Sequence, residues 1–121
     1  PGALDVCKIA KRPVFCTHTG LKGVRDHARN ITDEELDAIR DTGGAIGIMY
    51  APCYMAERQD ANSEFVLDHI EYAVDRIGSQ HVALGSDFDG WLPTIPSDMR
   101  DCRAARLIPE GLRMLSHHPL T

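Results

Sequence analysis

The apolar positions change period along the chain, and each change marks a predicted element. From Leu4 to Ala10 they recur at about helical spacing. From Pro13 to His18 they give way to a β-rich run of Val14, Phe15, Cys16 and Thr17, which predicts a first strand. Thr19 to Asn30 carries Gly20, Gly23 and mixed charges without a period, so it reads as a loop at that strand's C-terminal end. Thr32-Asp33-Glu34-Glu35 is a capping box, flanked by Ile31 and Leu36 as a hydrophobic staple. A helix therefore starts there, with Leu36 and Ile39 on one face and a stop at Gly43-Gly44. Ala45 to Tyr50 lacks polar alternation, as a strand covered on both faces does, and such strands are usually parallel. Val66, Ile70, Ala73, Val74 and Ile77 form the apolar stripe of a helix over Ser63 to Ile77, ended by Gly78. His81 to Phe88 reads as a third strand, Pro93 and Pro96 enforce a loop, and a last helix runs from about Arg103 to Leu115.

Strands alternating with helices are the grammar of right-handed crossovers in a parallel sheet. Each unit spans roughly 32 to 37 residues, near one-eighth of a ~250-residue barrel of eight such units. The expected fold class is α/β, with parallel βα units forming about three strands of a TIM-like (β/α)8 barrel and residues 1–121 making one partial domain. Three strands cannot close a barrel. The chain starts at Pro1 rather than Met, which fits a longer protein that was cut or a partial reading frame.

Composition narrows the partners. With 43% apolar and 26% charged residues, the 121-residue chain sits near the averages of soluble globular proteins and should fold around a core. Its net charge of -5, without a Lys/Arg cluster, offers no basic face for DNA, RNA or an anionic membrane. The longest apolar run, Gly43 to Met49, is far below the roughly 20 residues that a spanning helix needs. No charged-then-apolar leader opens the chain, so no membrane segment is expected, and the cytoplasm is the favoured compartment. Cys7, Cys16, Cys53 and Cys102 lie too far apart for a zinc knuckle and read as buried free thiols.

Functional side chains in parallel α/β folds gather where strands end. His18 ends the first predicted strand, Tyr50 and Tyr54 follow the second, and Asp87 with Asp89 closes the third. A strand-end imidazole can ligate zinc when its second nitrogen is oriented by a neighbour. The competing reading is a hydrogen-bonded core histidine, and it is preferred for His27, His69, His81, His117 and His118. Asp87 and Asp89 would share a face on a strand unless a turn intervenes. A calcium loop over Asp87-Phe88-Asp89-Gly90 fails, because Trp91 and Leu92 stand where an oxygen ligand and a glycine are needed. Arg29 has the fork of donors that clamps a carboxylate, against the plainer reading of a solvated charge.

Four groups of residues, in this order and spacing, resemble the renal (membrane) dipeptidase family. They are Pro13 to Gly20, Asp26-His27-Ala28-Arg29-Asn30-Ile31-Thr32-Asp33-Glu34-Glu35-Leu36, Thr42 to Ile48, and Asp68-His69-Ile70 leading to His81 through Gly90. The resemblance covers nearly the whole chain and is weakest after Arg103. It implies the C-terminal part of a (β/α)8-like barrel with two zinc ions, a bridging carboxylate and hydroxide, and a dipeptide as substrate. It places a metal-binding histidine on His18, the arginine that holds the substrate's C-terminal carboxylate on Arg29, and a related tyrosine on Tyr54. Asp87 takes the place of the aspartate that engages the substrate amine and shares in proton transfer. The family's other metal ligands would lie upstream of Pro1, so the active site is expected to be incomplete here and the fragment inactive alone. A related amide or lactam hydrolase, or a non-catalytic remnant of the barrel, are the alternatives, and a homodimer of the full-length protein is the further partnership considered.

Overall fold

A computed structural model describes residues 2–115; His117 and His118 lie outside the described residues. Helix α1 (Gly2–Ile9) precedes strand β1 (Phe15–Thr19), helix α2 (Asp33–Asp41), strand β2 (Ala45–Ile48) and the short helix α3 (Pro52–Met55). Helix α4 (Glu64–Ile77), strand β3 (Val82–Leu84) and helix α5 (Leu107–Met114) follow. The three strands form one sheet in the order β1-β2-β3, parallel at both junctions, as right-handed crossover units require.

Local sequence explains most of these boundaries. The Thr32 hydroxyl accepts from the Glu35 amide at 3.2 Å, and the Glu35 carboxylate accepts from the Thr32 amide at 2.8 Å, which starts α2 where the capping box lies. Gly43, at φ 80, takes the left-handed position that ends it. Strand β3 is shorter than the predicted His81 to Phe88. His81 belongs to a 3-10 turn over Ser79–His81, and Asp87 sits at φ 58, where no strand continues. Helix α3 has no counterpart in the sequence pattern, because Pro52 opens a single turn too brief to show a period. The last predicted helix divides into a 3-10 segment, Cys102–Arg106, and α5.

The core lies between the sheet and the helices that cover it. Ile46 and Ile48 of β2 are fully buried, as a central parallel strand should be. Leu36 and Ile39 of α2, with Val66, Ile70, Ala73 and Ile77 of α4, complete the same cluster. Val74, expected in the α4 stripe, is half-buried, while Phe65 and His69 join the buried face instead. Arg76 of α4 bonds both carboxylate oxygens of Asp37, at 3.0 and 2.8 Å, and the Tyr72 hydroxyl donates to Asp33 at 2.8 Å. Exposed ion pairs add little stability, yet a two-pronged one fixes the angle at which α2 meets α4.

All four cysteines are free thiols. Three are half-buried. Cys102 is exposed, against the expectation of burial, because it opens the surface 3-10 segment. Among the described residues no helix is long and apolar enough to cross a membrane. Phe15 and Leu84, on the two outer strands, leave 64% and 52% of their surface exposed. Replacing Thr32 with Ala should lower stability by about 1 kcal/mol, read from urea or thermal unfolding, since one helix-capping acceptor is lost. An unchanged midpoint would mean that packing alone sets the start of α2.

Candidate functional site

The candidate residues collect at the C-terminal edge of the sheet, and a β-bulge determines how. Cys16 pairs with Ile46 and Thr19 with Ile48, so β1 advances three residues while β2 advances two. The extra residue carries the Thr17 carbonyl against the backbone of Gly47 and of Gly85. A Cβ on either glycine would collide with that oxygen. Close approach of three backbones is what these glycines permit.

His18 is the next residue along β1. Its Nδ1 lies 2.9 Å from the Thr17 hydroxyl, which leaves Nε2 free toward the edge of the sheet. There it stands 4.0 Å from Asp87 Oδ2, too far for a hydrogen bond, with the two side chains 42% and 20% exposed. Asp87 reaches this place through a tight turn. Its backbone is left-handed, a conformation aspartate tolerates, and the Gly90 amide donates to its carbonyl at 3.1 Å. The Asp87 carboxylate occupies the space that a Cβ at Gly90 would need. Phe88 anchors the turn by meeting Tyr50 edge-on, 5.5 Å between ring centroids. The turn intervenes between Asp87 and Asp89, and Asp89 is exposed. Tyr50 is core rather than site: it is 2% exposed, and burial pushes its phenol pKa up. Burial likewise raises the Cys16 thiol above its ordinary value.

A second pair forms nearby in sequence. The Arg29 guanidinium lies 5.0 Å from the ring centroid of Tyr54, within cation–π range. His27 approaches the same ring at 5.1 Å and accepts from the Arg29 amide at 3.2 Å through Nδ1. Buried Asn30 holds the pair's backbones together, its side-chain amide donating to the carbonyls of Arg25, at 2.8 Å, and Tyr54, at 3.0 Å. The structure thus joins His18 with Asp87 and Arg29 with Tyr54. Among the described residues no hydrogen bond or ion pair connects one pair to the other. A pocket of about 660 Å³, lined by Asp98, Arg100, Asp101, Arg103 and Arg106 among others, contains none of these residues. Chemistry rather than concavity identifies the site.

The sequence reading of His69 as a hydrogen-bonded core histidine holds, but its partners, and the contact that His27 makes, were not legible. His27, read as a hydrogen-bonded core histidine, accepts from the Arg29 amide and touches the Tyr54 ring, and nothing in its local pattern points to that ring. His69 is fully buried and bonded through both ring nitrogens; its signal was a place on the α4 stripe, three residues after Val66. His18 fits the role of a single metal ligand, with one nitrogen held by a neighbour and the other presented. Among the described residues no three His, Cys, Asp or Glu side chains gather closely enough to hold an ion, so the donor set fits one ligand position and not a whole site.

The profile of "Membrane dipeptidase (Peptidase family M19)" matches residues 1–116. The chain belongs to this family. Membership in the membrane dipeptidase family extends through the segment after Arg103, where the sequence motifs thin out. A Klebsiella pneumoniae protein described only by its place in the pqqA 5' region is 36% identical over 120 residues, 96% of this chain and 44% of that protein. The dipeptidase verJ of Clonostachys rogersoniana is 39% identical over 92 residues, 74% of this chain and 23% of that enzyme. A solved metallo peptidase from Rhodobacter sphaeroides, bound to a phosphinate mimic of the dipeptide L-Ala-D-Ala, superposes with a TM-score of 0.87 at 31% identity. That match covers 98% of this chain and 34% of the other. The chain therefore spans less than half of the relatives it matches, and the family's α/β architecture is shared over the part present.

Gly47→Ala should destabilise the protein by about 1–3 kcal/mol, because the new methyl meets backbone that cannot swing aside. Gly2→Ala, where nothing lies within 4 Å, should be close to neutral. Equal melting temperatures for the two variants would show that the β1 bulge can move.

Proposed function

We propose that the protein containing this chain is a zinc-dependent dipeptidase, and that His18, Asp87, Arg29 and Tyr54 are this chain's share of its active site. One observation carries the reading: His18 of β1 and Asp87 in the turn after β3, a strand that does not adjoin β1, converge to 4.0 Å at the sheet edge where α/β proteins place their chemistry. The dipeptidase name of the verJ relative and the dipeptide mimic bound by the solved neighbour support the substrate class. The exposed Phe15 and Leu84 fit a barrel in which further strands continue the sheet on both sides.

When bound, zinc supplies Lewis-acid polarisation of the scissile carbonyl and an acidified water near neutral pH. His18 would be one ligand through Nε2, oriented by the Thr17 hydroxyl. Arg29 would hold the C-terminal carboxylate through two parallel hydrogen bonds, with the Tyr54 ring as its platform. Asp87 would pair with the substrate's amino group and accept or return a proton at its carboxylate oxygen. Recognition of both charged ends limits the length of peptide that fits, so dipeptides are preferred over longer chains. The 121-residue chain alone, holding one ligand, is expected to be inactive.

Three variants of the full-length protein separate these roles. His18→Ala should lose zinc on dialysis along with activity, since an imidazole that would bind the ion directly disappears. Asp87→Asn should keep its zinc and lose kcat/KM by orders of magnitude, because shape is preserved while charge and basicity go. Arg29→Lys should mainly raise KM, the charge remaining without the paired bonds. Zinc loss in Asp87→Asn equal to that in His18→Ala would make Asp87 a ligand and overturn its assignment. Unchanged constants in Arg29→Lys would remove it from the site.

A further inference from the structure

The buried face of α4 contains one polar residue, and it is spent on two loops of the site rather than on its own helix. His69 is 0% exposed. Its Nδ1 accepts from the Leu21 amide at 3.0 Å, and its Nε2 lies 3.0 Å from the Met55 carbonyl. An amide can only donate and a carbonyl only accept, so the ring must be neutral with its proton on Nε2. Burial acts in the same direction, lowering the pKa from the usual 6.5 and keeping the proton off Nδ1.

Each bonded group belongs to a segment that carries one half of the Arg29–Tyr54 pair. Leu21 opens the loop that carries Arg29. Its neighbours close that loop from both ends, the Ile31 amide donating to Gly20 at 3.0 Å and the Lys22 amide to Ile31 at 2.9 Å. Met55 directly follows Tyr54 in α3. The backbone of the arginine loop and that of the tyrosine turn therefore meet twice, once through Asn30 and once through the His69 ring.

We infer that His69 is a positioning residue for the Arg29–Tyr54 clamp, its ring setting the distance between the loop that carries the guanidinium and the turn that carries the aromatic platform. No apolar residue could satisfy both backbone groups. A Gln carries both a donor and an acceptor, but on one flexible end, so it cannot bond groups on opposite sides of a rigid ring. The inference rests on the reading of Arg29 and Tyr54 as the grip on the substrate's carboxylate.

The test uses the full-length, zinc-loaded protein with His69→Gln, Arg29→Ala and the double variant, assayed on a simple dipeptide. His69→Gln should raise KM by about tenfold while changing kcat by less than about threefold, with zinc content as in the parent. In the Arg29→Ala background the same substitution should change KM by less than about twofold, because the group it positions is gone. A residue that only supports the fold would lower kcat and zinc content as well, and its effect would persist without Arg29. Either of those results overturns the inference, as does an unchanged KM in His69→Gln or failure of that variant to fold. A parent protein that hydrolyses no dipeptide would instead contradict the functional reading itself, and it is told apart because the failure then precedes any substitution.

Discussion

The extra residue in β1 presses the Thr17 carbonyl against Gly47 and Gly85, and that contact sets the geometry of the sheet edge. Strand β2 lies between β1 and β3, so the bulge can reach over it only if the intervening residue has no side chain. Gly47 meets that condition on β2, and Gly85 meets it at the end of β3. With the backbones this close, His18 and Asp87 come within 4.0 Å although β1 and the strand that leads to Asp87 are not neighbours. A larger residue at either glycine would push the oxygen away and carry His18, the adjacent residue, with it.

Around this fixed edge the structure ties its loops with buried polar groups. Asn30 and His69 are among the few polar residues buried in the described part of the chain. Both bond to backbone on two separate segments, and both link the loop after β1 to the turn after β2. Burying a polar group costs free energy unless it is bonded; both ring nitrogens of His69 are bonded, whereas Asn30 bonds through its amide nitrogen and its buried Oδ1 has no hydrogen-bond partner among the described residues. Segments without a regular ladder are thereby tied to one another. The helices need no such device. The packing of Leu36 and Ile39 against the α4 stripe, with Arg76 forked onto Asp37, holds them by shape and surface charge.

Features that depend on near neighbours were legible in the sequence. The capping box of α2 and the apolar stripe of α4 each declare themselves within a few residues, and their helices lie where the pattern puts them. The parallel order of the strands follows from the alternation of elements and from the unbroken apolar run of β2. Strand lengths were overread, because Asp87 in a left-handed turn looks no different in sequence from Asp87 in a strand. The candidate residues could be named from strand ends and motif order, but their pairing could not. His27 against Tyr54, the bulge at Thr17, and His69 between Leu21 and Met55 all depend on partners distant in sequence. A local reading has no access to such partners.

Zinc placement is the most direct measurement of the central claim, that this sheet edge supplies one ligand and one substrate-facing carboxylate. Anomalous diffraction recorded at the zinc edge from crystals of the full-length protein locates the ion independently of any activity. The expected result is a zinc peak about 2.0–2.1 Å from His18 Nε2, with both Asp87 oxygens beyond bonding distance. A peak coordinated by Asp87, or zinc bound elsewhere with the His18 ring uncoordinated, would contradict it.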